Sequence, residues 1–92
     1  MKIEGIAFQL KGKVQGVGMR FTIARLAQNL DLKGYVKNTK DGRVMGEIVG
    51  PKDRLETFFQ TLTENAPGKI VNIDKQPLNE IPDYTKFKIK LF

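Results

Sequence analysis

The residues best equipped for chemistry lie in one short run, GKVQGVGMRF, from Gly12 to Phe21, which places three glycines ahead of a single arginine. An alternating apolar stretch precedes the run and a helical pattern follows it, so it reads as a strand-to-helix loop. Successive backbone N–H groups in such a loop can converge on one concavity and bind an anion. The helix that follows adds its own unpaired N–H groups and the positive end of its dipole. Here the available donors are the amides of Gln15, Gly16, Val17, Gly18, Met19 and Arg20. Gly16 and Gly18 permit positive φ and close approach of the backbone. Arg20, at the helix start, carries a planar fork that can take two phosphate oxygens at once. A tight turn with a surface arginine uses the same residues, and loop chemistry by itself leaves both readings open. The spacing does exclude a nucleotide P-loop, Gly-x-x-x-x-Gly-Lys-Ser/Thr, and the dinucleotide fingerprint Gly-x-Gly-x-x-Gly.

Asn38 lies eighteen positions beyond Arg20. By position alone it reads as a strand-end residue leading into a hairpin turn.

Whatever the site does, it does without the common catalytic groups. The 92-residue chain has no cysteine and no histidine. Thiolate nucleophiles, thiolate metal sites and disulfides are excluded, together with the usual general base and the commonest metal ligand. Sixteen basic against ten acidic residues give a net charge of +6, which favours an anionic partner and is also met in an ordinary solvated surface. No apolar run is long enough to span a bilayer and the N-terminal stretch lacks the pattern of a signal peptide, so the expectation is a cytoplasmic, non-membrane protein.

The elements that must position these residues follow from periodicity. Ile6, Phe8 and Leu10 alternate as a strand with one buried face. Met19, Ile23, Leu26, Ala27 and Leu30 recur at helical spacing, and Gly34 reads as the turn residue after that helix. YVKN and RVMGEIVG read as two strands joined by the tight connection TKDG. Pro51 suits the first turn of a second helix, whose buried stripe is Leu55, Phe58, Phe59 and Leu62. KIVNID is a strand, PLNEIPD an irregular connection, and KFKIKLF a last strand with Phe87, Ile89 and Leu91 on one side and Lys86, Lys88 and Lys90 on the other. The order is β-α-β-β-α-β with an additional C-terminal strand: one domain over residues 1–92, an α+β ferredoxin-like sandwich with two helices on one face of an antiparallel sheet.

GKVQGVGMR resembles the signature of the acylphosphatases, Gly-x-Val-Gln-Gly-Val-x-Phe-Arg, with Met19 in place of phenylalanine. A second segment of that family, Gly-aromatic-x-x-Asn-x-x-x-Gly-x-Val, matches GYVKNTKDGRV at Gly34, Tyr35, Asn38, Gly42 and Val44. The resemblance covers nearly the whole chain and weakens after Pro67, where NAPGKIVNI departs from the family's GPP-x-A-x-V-like segment. It implies an enzyme that hydrolyses the carboxyl–phosphate bond of small acyl phosphates to a carboxylate and inorganic phosphate. The loop from Gln15 to Arg20 would hold the phosphoryl group, Arg20 would bind its oxygens, and Asn38 would position the attacking water. The substrate's own phosphate would take the proton, with no cofactor and no metal. A monomer without a nucleic-acid partner is the expected state. The rival from another class is an RNA-binding module of the same fold, but Lys33-Gly34-Tyr35 begins the RNA-recognition signature and Val36, Lys37 and Asn38 break it. A non-catalytic phosphate-binding regulator is disfavoured by the presence of both Arg20 and Asn38. A resemblance to the N-terminal acylphosphatase-like domain of a hydrogenase-maturation carbamoyl transferase is set aside because such a domain belongs to a much longer chain.

Overall fold

Side chains that alternate along a strand must choose a face, and Ile6, Phe8 and Leu10 choose the one covered by helices. In the computed structural model, which describes residues 2–91, they lie on β1 (Ile3–Lys13). The chain continues through α1 (Met19–Asn29), β2 (Lys33–Asn38), β3 (Val44–Pro51), α2 (Lys52–Asn65), β4 (Lys69–Pro77) and β5 (Phe87–Ile89). The strands form one sheet in the order β4-β1-β3-β2-β5, and both helices pack on the same face, giving the expected α+β ferredoxin-like fold.

The core is the contact between the two helical stripes and that face. Met19, Ile23 and Ala27 of α1, and Leu55, Phe58, Phe59 and Leu62 of α2, are buried against Phe8, Leu10, Val36, Val44 and Ile48. Phe8 and Phe58 meet Phe59 edge-on, with ring centroids 5.9 and 5.0 Å from it. That arrangement adds to the burial of three large side chains. Leu26 and Leu30 are only half-buried.

Three local readings of the sequence are corrected. Gly34 is not the turn after α1 but lies inside β2, where a Cβ on its backbone (φ +138°) would collide with the carbonyl oxygen of Glu47 on β3. The glycine is required by close strand approach, a tertiary cause that leaves no local mark. Pro51 is the last residue of β3 and stands just before α2 rather than within its first turn. The sheet is mixed rather than wholly antiparallel. β1, β3, β2 and β4 pair antiparallel, but β5 runs parallel to β2, with Gly34 opposite Phe87 and Val36 opposite Ile89.

The parallel pairing follows from the route the chain takes. β4 and β5 occupy opposite edges, so residues 78–86 must cross the whole sheet. They do so on the face away from the helices: Leu78 and Ile81 lie over Gly5 of β1, and Tyr84 reaches Glu47 of β3 and the ring of Tyr35 on β2. The Tyr84 hydroxyl donates to Glu47 Oε1 at 2.6 Å. Burial, followed by that hydrogen bond, pushes the Tyr84 hydroxyl well above the ordinary tyrosine range. The Lys86, Lys88 and Lys90 side chains are exposed at the β5 edge, where charge discourages a further strand from adding. Phe92, the last residue of the alternating C-terminal run, lies outside the described residues. Among the described residues, no helix is long and apolar enough to cross a membrane.

Candidate active site

The loop between β1 and α1 owes its shape to two glycines. Gly16 (φ +73°) and Gly18 (φ +85°) are left-handed, while Gln15 and Val17 are not, so the sign of φ alternates along the run. That alternation is the backbone geometry that turns successive N–H groups toward one side. A Cβ built at either glycine would meet no atom within 4 Å. Glycine is therefore needed there for conformation, and the space beside it is open. Among the described residues, none of the N–H groups from Gln15 to Gly18 donates to a protein acceptor.

Helix α1 starts directly from this loop. Gly18 is its N-cap, with no side-chain cap and no acidic residue in the first turn, whereas α2 carries Asp53 in its first turn. The exposed amides and dipole of α1 are thus uncompensated, which is the electrostatic condition for binding an anion. Arg20, in that first turn, is half-buried, and its guanidinium has no ion-pair partner among the described residues.

Asn38 arrives from the sheet. It is the last residue of β2 and pairs with Val44, so it shares the helix-side face with buried Val36 and Val44. At the strand end that face meets the start of α1. A concavity of about 250 Å³ results, lined by Gly16, Gly18, Met19, Arg20 and Asn38, with Val14, Phe21, Ile89 and Leu91 as its apolar wall. Of the residues named from the sequence, the fold brings these five together. Gln15 and Val17 contribute backbone to the loop but do not line the concavity. Val17 packs half-buried against the core, and the Met19 side chain is fully buried beneath the loop. Larger concavities exist on the open sheet face and beneath residues 78–81. The first is lined by Glu47 and Asp74, whose charge repels an anion, and neither is lined by residues of a helix start.

The Gln15 side chain has a role that its sequence position did not suggest. Its Nε2 donates to the carbonyl oxygens of Thr39 and Arg43, both at 2.8 Å. These carbonyls belong to the hairpin that begins immediately after Asn38, so the amide braces the loop against the segment carrying Asn38. The hairpin is further closed by Thr39 N–H to the Arg43 carbonyl and by Arg43 N–H to Thr39 Oγ1, each at 2.9 Å. The contact spans more than twenty residues and has no periodicity, so only the fold reveals it. Because the Arg43 carbonyl keeps its partner at Thr39 N–H, Gln15→Ala leaves that acceptor satisfied. The expected loss is about 1–2 kcal/mol of stability for two hydrogen bonds, read from urea unfolding. A variant as stable as the parent would show that the brace contributes nothing.

The geometry fits what comparison with known proteins finds. The family model described as acylphosphatase matches residues 6–89. An acylphosphatase of Aliivibrio fischeri is 36% identical over 89 residues, covering 97% of this chain and 99% of that one. The crystal structure of the Bacillus subtilis acylphosphatase superposes with a TM-score of 0.90 at 29% identity, covering 97% of this chain and 99% of that one. Full-length HypF, crystallised in a phosphate- and nucleotide-bound form, superposes with a TM-score of 0.87 at 31% identity, covering 97% of this chain but 12% of that one. A loop whose amides are free among the described residues, an uncapped helix start and an arginine without an acidic partner among those residues all lie within the matched span, and the chain belongs to the acylphosphatase family, whose members are hydrolases acting on acid anhydrides.

Proposed function

We propose that this chain hydrolyses the carboxyl–phosphate bond of small acyl phosphates, releasing a carboxylate and inorganic phosphate. The observation that carries the reading is the shared concavity: an arginine without an acidic partner among the described residues, the uncapped start of α1 and the Asn38 amide all border one space. Phosphoryl transfer through a loose transition state needs charge stabilisation and alignment more than covalent help. In this reading the amides from Gln15 to Arg20 and the Arg20 guanidinium hold the three phosphoryl oxygens. Asn38 orients a water in line with the bond to be broken. The water oxygen bonds to phosphorus as the phosphorus–acyl oxygen bond breaks, and the electron pair leaves on the carboxylate. The water's proton passes to a phosphoryl oxygen.

No strong base is required, because a carboxylate is a good leaving group and water attacks an already activated phosphoryl group. No metal is required either, since preorganised amides and a guanidinium supply the positive field. The chain acts in this reading as a single domain and a monomer in the cytoplasm. The reading includes no nucleic-acid partner, and it is supported by residues 78–86, which cover part of the sheet face on which bases would stack.

The test is phosphate release from acetyl or benzoyl phosphate beside a stable phosphate monoester, with and without a chelator. Release from the acyl phosphates only, unchanged by the chelator, is the expected outcome. A rate no faster than spontaneous hydrolysis overturns the reading, and loss of activity with the chelator overturns its metal-independent form.

A further inference from the structure

We propose that Phe21, Ile89 and Leu91 form an acyl subsite beside the anion cradle, and that the chain prefers acyl phosphates whose acyl group is aromatic or bulky and apolar. The inference rests on reading the concavity as the site of acyl phosphate hydrolysis.

It starts from an aromatic residue that the fold does not need. The buried stripe of α1 is Met19, Ile23 and Ala27, and Phe21 lies about 200° around the helix from Met19. Phe21 is 63% exposed, on the solvent side of an amphipathic helix, one residue past Arg20. Packing does not account for a large apolar side chain there.

β5 supplies the rest of the patch. The pairing of Val36 with Ile89 places Ile89 on the helix-side face, in line with Phe87. Exposure rises from 3% at Phe87 to 40% at Ile89 and 77% at Leu91, as the chain runs out past the start of α1. Six large apolar residues are exposed among the described residues, and three of them, Phe21, Ile89 and Leu91, line this one concavity. Exposed apolar groups gathered beside a few convergent polar ones are the composition of a small-molecule site.

The chemistry of the substrate specifies what fills the patch. An acyl phosphate joins an anionic phosphoryl group to a carbon body through a single bridging oxygen. With the phosphoryl group held by the loop and Arg20, the carbon body must lie within a few bond lengths of the cradle, on its flank. The flank offered is apolar. A benzoyl or branched acyl group would remove Phe21, Ile89 and Leu91 from water, which an acetyl group is too small to do and a charged acyl group does at a desolvation cost.

The experiment compares kcat/KM for benzoyl and acetyl phosphate in the parent chain, Phe21→Ala and Leu91→Ala, with sedimentation of each. Benzoate and acetate are leaving groups of similar basicity, so the ratio reports binding of the acyl body. The parent is expected to favour benzoyl phosphate by about tenfold or more, mainly through KM, and each substitution to reduce that ratio by about three- to tenfold. Both side chains are exposed, so the variants should fold, and melting temperatures check this. A parent ratio near one, or a ratio that neither substitution changes, overturns the subsite while leaving the hydrolase reading intact. Failure to hydrolyse either substrate overturns both. A dimer that Leu91→Ala dissociates without altering the ratio would assign the patch to a second copy of the chain and overturn the proposal.

Discussion

Arg20→Gln is expected to lower turnover of acyl phosphates by about 10³-fold or more while leaving the fold in place. Removing one preorganised donor to a developing oxyanion typically slows a reaction about 10²–10³-fold, and a guanidinium acting on a transferring phosphoryl group is worth about 10³–10⁵. Glutamine keeps much of the length and some hydrogen-bonding capacity but loses the charge and the fork. A loss of 10³ corresponds to about 4 kcal/mol of transition-state stabilisation. Stability should change little, because Arg20 is half-buried with no ion-pair partner among the described residues, and substitutions at such positions stay within about 0.5 kcal/mol. Inorganic phosphate provides an independent readout. It should raise the melting temperature of the parent by binding the native state and should do so much less for the variant. Near-normal rates on acetyl or benzoyl phosphate would remove Arg20 from the site.

Asn38→Ala separates positioning from binding. The backbone of Asn38 is held in the ladder with Val44, so alanine keeps the strand and removes only the amide. Among the described residues no hydrogen bond is made by that side chain, so its loss orphans no buried partner. If Asn38 orients the water, kcat should fall by about 10²–10³, while inhibition by inorganic phosphate changes by less than about threefold. A rise in the phosphate inhibition constant with kcat unchanged would instead make Asn38 part of the cradle. The Gln15 brace bears on the same result. By tying the loop to the carbonyls of Thr39 and Arg43, it holds the loop ahead of Arg20 and the strand end carrying Asn38 in one frame. A misplacement of about an ångström in such a pair is enough to cost rate.

Much of this was legible before the fold was known, for reasons that differ from element to element. The strand through Ile6, Phe8 and Leu10 and the two helical stripes were readable because burial imposes periods of about 2 and 3.6 residues directly on the sequence. The loop was readable because positive φ at Gly16 and Gly18 favours glycine, which leaves a recognisable spacing ahead of Arg20. Gly34 was misread because the same residue type answers two requirements, a turn and a close strand approach, and only the position of the Glu47 carbonyl distinguishes them. The parallel pairing of β5 was hidden for a related reason. Alternation shows which side chains share a face but not which neighbour the strand meets.

By itself the sequence determined the secondary-structure order and the glycine-shaped loop ahead of Arg20, and it marked Arg20 and Asn38 as the polar residues of the proposed site, since each rests on local backbone preference or on residue type. The tertiary structure alone decided their relations. It brought Asn38 to the start of α1 through strand register, turned the Gln15 amide toward the hairpin, and gathered Phe21, Ile89 and Leu91 along one wall. Those relations join residues up to seventy positions apart, and the force that sets them is burial of a shared core, which records in the sequence that a side chain is apolar but not what it will touch.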